Sequence, residues 1–85
     1  MSNANIILGG SDIMEKLDII KERLKEAINQ SGLTQQEIAN KIFVNQSSIA
    51  HYIKGDNMPA LDTFANLCEV LDVDANYILG IENRK

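Results

Sequence analysis

Apolar residues recur at intervals of three and four along most of this chain, and that rhythm predicts helices and no strand. In the first third, Ile13, Leu17, Ile20, Leu24, Ala27 and Ile28 fall on one stripe. The opposite side mixes Glu15, Lys16, Lys21, Glu22, Lys25 and Glu26, which reads as a solvated face. Asp12 and Glu15 have the spacing of a capping box and mark the start of this helix, and Gly32 ends it. Ahead of it, MSNANIILGG has no helical period and closes on Gly-Gly, so residues 1–11 are expected to be a flexible arm. Ser2-Asn3-Ala4 also resembles an expression-tag scar. Toward the other end, behind Pro59, the stripe Leu61, Phe64, Leu67, Cys68 and Leu71 defines a fourth helix. Asp74 caps a short last helix holding Tyr77, Ile78 and Leu79, which Gly80 stops. One domain is expected over residues 12–85.

Between these flanks, LTQQEIANKIFVNQSSIAHYIKGDNMP holds two short capped helices joined by a tight corner. Thr34 and Glu37 form a second capping box, after which Ile38, Ala39 and Ile42 share one face. Asn45 stands at the N-cap of the next helix, where its side-chain oxygen can accept from first-turn amides. Ile49, Tyr52 and Ile53 face inward and leave Ser47, Ala50, His51 and Lys54 outward. Gly55 occupies the helix stop that favours positive φ. Ala39 supplies the small side chain that two steeply crossing helices need at their contact. This order and spacing is that of a DNA-reading helix-turn-helix over residues 35–54, and a recognition helix over 45–54.

Composition limits the alternatives. Eighty-five residues make one small domain. No apolar run approaches the roughly 20 residues that span a bilayer. With one Cys there is no internal disulfide and no Cys-rich zinc site, and a reducing cytoplasm is the expected compartment. His51 is the one histidine and Cys68 lies on an apolar stripe, so no metal or cofactor site is expected. Cys68 reads as a small core residue. There is no nucleophile–base pairing at a usable spacing and no phosphate-cradling glycine loop, which argues against an enzyme and against a small-molecule ligand. Net charge is −4, against the basic patch expected of a nucleic-acid binder. The acidity is uneven, however: residues 33–59 sum to zero and residues 60–85 to −3. Electrostatic attraction to DNA should therefore be weak, leaving readout to carry more of the binding.

With these residues in hand, the chain resembles the lambda-repressor-like, Cro-type (xenobiotic-response-element) helix-turn-helix family. The resemblance covers about residues 17–80, with all five helices in order, and includes the PALDTFANLCEVLDVDANYILG tail. It implies an all-α, five-helix DNA-binding domain whose second and third helices form the motif. It also implies sequence-specific binding of double-stranded operator DNA by a prokaryotic or phage regulator, usually a repressor acting as a homodimer. On that resemblance Gln35 would meet a phosphate, while Gln46, Ser47 and His51 would make base contacts. Lys54 and Asn57 would touch the backbone from the following loop. Tyr77, Ile78 and Leu79 either cover the core or make a dimer contact.

Three departures stand out against the family pattern. Phe43 sits at the corner where glycine is usual. Asp56-Asn57-Met58 replaces a frequently basic loop. Ile28 and Ile53 stand where many relatives carry a buried Arg–Glu pair, a swap that apolar packing tolerates. The acidic loop and net charge keep two alternatives open: an antitoxin-like protein, or a protein-interaction module of the same fold that does not bind DNA.

Overall fold

The computed structural model describes residues 2–81, with side chains from Glu15 onward. Five helices follow in order: α1 (Ser2–Gln30), α2 (Gln35–Ile42), α3 (Gln46–Lys54), α4 (Leu61–Leu71) and α5 (Ala75–Leu79). Among the described residues there is no strand. This is the five-helix lambda-repressor-like arrangement. α1 packs on α3 and α5, and α2 on α3 and α4, so the second and third helices are held from both sides.

The first helix starts earlier than its sequence pattern indicates. Its backbone is helical from Ser2, so Asp12 lies inside the helix instead of capping it, and residues 2–11 of the expected arm continue the same helix, residue 1 lying outside the described residues. The physical reason lies in helix cooperativity: once the packed residues 17–28 have nucleated a helix, each further residue costs only its propensity. Gly9 and Gly10 add about 1 kcal/mol each relative to alanine.

The core is built from the predicted stripes. Leu24, Ile38, Ala39, Ile49, Leu67 and Ile78 are fully buried, joined by Ile28, Ile42, Tyr52, Phe64, Cys68 and Leu71. Ile53 is only partly buried and packs at the edge of this cluster. Leu61 departs from expectation, being 85% exposed. It is the first residue of α4 and projects past the end of the core. There it joins Leu17, Met58 and Pro59 around a shallow apolar groove of about 170 Å³. That volume falls below the roughly 300–1,000 Å³ of ordinary small-molecule sites.

Chain reversals explain how such short helices hold their angles. Phe43 at the end of α2 adopts φ 60°, ψ 46°, in the left-handed region. The carbonyl of Ala39 accepts from the Phe43 amide and, at 3.0 Å, from the Val44 amide. Val44 turns back onto the core, closing the motif that normally uses glycine at this point. At the other end of the fold, α1 clamps the last helix. Lys16 Nζ donates to the Gly80 carbonyl at 3.0 Å, and Arg23 donates to the Tyr77 carbonyl at 2.6 Å. The Arg23 guanidinium also lies 4.2 Å from the Tyr77 ring centroid. These cations satisfy the C-terminal carbonyls of α5, the end of a helix where positive charge is favoured.

Candidate nucleic-acid interface

The candidate surface begins at the two N-termini that meet across the corner. Thr34 Oγ1 accepts from the Glu37 amide at 3.0 Å, and Glu37 Oε1 accepts from the Thr34 amide at 2.8 Å. This reciprocal box fixes where α2 begins and leaves Gln35 as its first residue. Asn45 is the N-cap of α3, but its side chain makes no capping bond. A tight turn takes its place, in which the Ser48 amide donates to the Asn45 carbonyl at 2.9 Å. The start of α3 is therefore shaped by backbone geometry.

Gln46 Nε2 donates to Gln35 Oε1, joining the first residues of α2 and α3. Holding the Gln46 amide in this way leaves its Oε1 and second N–H directed by the same bond. A glutamine presenting one acceptor and one donor matches the N6 and N7 edge of adenine in the major groove. Neither residue's spacing in the chain announces this pairing, which depends on the angle between two helices.

One turn further, His51 Nδ1 lies 3.0 Å from Asp56 Oδ1. Lys54 Nζ lies 3.6 Å from the other oxygen of the same carboxylate. The Asp56 carboxyl is held below the ordinary carboxylate range, first by its hydrogen bond with His51 and then by the neighbouring positive charges. Asp56, which in the sequence only stands in place of a frequently basic loop residue, is thus a member of this surface. The sign available in the sequence was an acid one residue after the glycine helix stop, where a left-handed residue folds the chain back on the last turn.

The remaining sequence candidates are accessible but less engaged. Ser47 and Asn57 are exposed, with no side-chain hydrogen bond among the described residues. Behind the face, Tyr52 and Ile49 are buried, and burial pushes the Tyr52 phenol up. The three residues of the last helix separate. Ile78 is fully buried within its own chain and so covers the core, Leu79 is half-buried, and Tyr77 is about half exposed. Cys68 is a buried free thiol, pushed up by burial and by the charge of Asp74.

A model of the helix-turn-helix domain family matches residues 21–83. The chain belongs to that family. Similar helix-turn-helix proteins occur in Bacillus subtilis (strain 168). One is the HTH-type transcriptional regulator ImmR, 34% identical over 59 residues, covering 69% of this chain and 46% of ImmR. A second, the uncharacterized HTH-type transcriptional regulator YqaE, is 34% identical over 68 residues, covering 79% of this chain and 59% of YqaE. A third, the uncharacterized HTH-type transcriptional regulator YobD, is 33% identical over 60 residues, covering 71% and 54% respectively. This chain therefore spans about half the length of the curated relatives it matches. No solved structure matches it significantly. Among the described residues there is no cluster of His, Cys, Asp or Glu suited to a metal ion. No described helix is long and apolar enough to cross a membrane.

Proposed function

We propose that this helix-turn-helix domain binds double-stranded operator DNA sequence-specifically, as the reading module of a transcriptional repressor. In this reading α3 enters the major groove, about 12 Å wide, with Gln46, Ser47 and His51 toward the base edges. Gln35, Lys54 and Asn57 meet phosphates and set the register. The observation that carries the reading is the Gln35–Gln46 bond, which orients a base-matching amide at the exposed start of the second motif helix. A homodimer, with Tyr77 as one exposed contact, completes the reading, and the compartment is the cytoplasm. No enzymatic step, cofactor or small-molecule ligand is part of it.

The test is selection from a random-site duplex library, followed by affinity measurement across a salt series. We expect a defined half-site and a shallow dependence on salt, corresponding to about 3–4 phosphates per subunit. Gln46→Ala should weaken binding to the selected site by about 1–3 kcal/mol with an unchanged melting temperature. Recovery of no preferred sequence would refute the reading and favour the protein-interaction alternative, which the net charge of −4 also suits.

A further inference from the structure

We propose that Asp56 is a positioning residue for base readout: it fixes His51 with Nδ1 as the protonated nitrogen. The free Nε2 is then an acceptor toward DNA when the ring is neutral and a donor when it is cationic, and base preference at this position inverts with pH. The inference rests on the DNA-binding reading above and adds to it a residue and a chemical rule.

The geometry starts with Gly55, whose φ of 82° turns the chain back over the last turn of α3. That turn brings Asp56 Oδ1 to 3.0 Å from His51 Nδ1, while Oδ2 faces Lys54 Nζ at 3.6 Å. Each carboxylate oxygen is therefore turned toward one cationic or ionisable partner. Hydrogen bonding to His51 and the charges of His51 and Lys54 keep the Asp56 carboxyl low, so it remains ionised wherever a histidine changes its charge. An ionised carboxylate can only accept a hydrogen bond. Nδ1 must then carry the hydrogen in both charge states of the ring. The other nitrogen, Nε2, makes no hydrogen bond among the described residues, and the side chain is 48% exposed.

The surrounding charges do not supply a competing partner. From α1, Lys21 lays its side-chain carbons beside Gly55. On α2, Glu37 is occupied by the Thr34 amide, and Lys41 is exposed. Among the described residues Glu37 makes no ion pair with His51, whose acidic partner is Asp56. Neutral His51 thus offers a lone pair, which suits the exocyclic amino group of cytosine or adenine. The cation offers N–H, which suits O6 or N7 of guanine. Free imidazole has no carboxylate to make this choice for it.

Two measurements test this, and the first needs no DNA. His51 is the one histidine of the chain, so its ring gives a single set of nitrogen signals. Long-range proton–nitrogen spectra at about pH 8 should report the Nδ1–H tautomer in the natural protein and its loss in Asp56→Ala, which removes the acceptor. An Nε2–H tautomer in the natural protein overturns the proposal.

The second measurement is site selection at about pH 8 and about pH 5.5. One position of the half-site should change from an amino-bearing base to guanine, by about fivefold or more in preference. His51→Gln, whatever its affinity, should select the same base at that position at both pH values, and Asp56→Ala, which removes the acceptor, should lose the preference at the higher pH. The base read by Gln46 should stay the same throughout. A selected site that is identical at both pH values, with Gln46-dependent binding intact, overturns this inference alone. Failure to select any site overturns the DNA-binding reading together with it.

Discussion

Replacing Phe43 by glycine should stabilise the protein, although it removes a large aromatic side chain. Phe43 is 92% exposed, so its ring contributes almost no buried area that the change could forfeit. Its backbone, at φ 60° and ψ 46°, lies where an L-residue costs about 1–2 kcal/mol because Cβ crowds the following carbonyl. Glycine removes that cost but brings about 0.5–1 kcal/mol of extra chain entropy in the unfolded state. The net gain is about 0.5–1 kcal/mol, or about 2–8 °C in the melting temperature of a domain this size. The bonds that set the corner, from the Phe43 and Val44 amides to the Ala39 carbonyl, are made by the backbone and survive the substitution. Phe43→Ala is the control: it deletes the ring but keeps Cβ, and should change stability by less than about 0.5 kcal/mol. Thermal and urea melts of the three proteins decide the matter. Equal effects from Gly and Ala, or a loss with both, would mean the ring packs on something and the strain account is wrong.

Thr34→Ala should cost about 1 kcal/mol in urea unfolding, with an unchanged slope, because it removes the acceptor for the Glu37 amide. Cys68 should react with a thiol reagent only as the protein unfolds, since the buried thiol is held protonated above the ordinary range. Its folded pKa is raised, so the folded state keeps a proton that the unfolded state releases, and stability should fall as pH rises above the ordinary thiol value. Rapid labelling under native conditions, or stability flat across that range in a comparison with Cys68→Ala, would contradict this. Ile53→Glu should cost about 2–4 kcal/mol, and adding Ile28→Arg should recover part of it if these positions can hold the ion pair of other family members. A double-mutant cycle with coupling under about 0.5 kcal/mol would refute that equivalence.

What could be read from the chain beforehand follows the range of the forces involved. The Thr34–Glu37 box, the Gly55 and Gly80 stops and the Asp74 cap are set within three to six residues, and the structure contains each of them. The buried stripes were legible for the same reason, since helical period alone decides which side chains can share a face. Leu61 shows where that logic ends: periodicity assigns a face, but whether another helix covers it depends on where the neighbours stop. The N-terminal extension of α1 belongs to the same class, because capping signals mark possible starts and cooperativity selects among them. Asn45 illustrates the converse, a favourable cap residue whose role the backbone turn took over.

The surface to which the proposed function is assigned is the part least accessible to such reasoning. Gln35 and Gln46 are eleven residues apart, and only the crossing of α2 and α3 brings their amides together. His51 and Asp56 are separated by five, but the bond requires the left-handed turn at Gly55. Both pairs use a side chain to fix the orientation of another that faces outward. On a domain with net charge −4, such fixing has a specific consequence under the proposed function. Few cations mean a small sequence-independent attraction to phosphate, so tightness must come from base edges met in the right geometry. Asp56 then acts in two opposed ways: it subtracts positive charge from the interface and removes a freedom from His51. The first lowers affinity for every sequence, whereas the second penalises only the wrong base, and the ratio of specific to non-specific binding rises as a result.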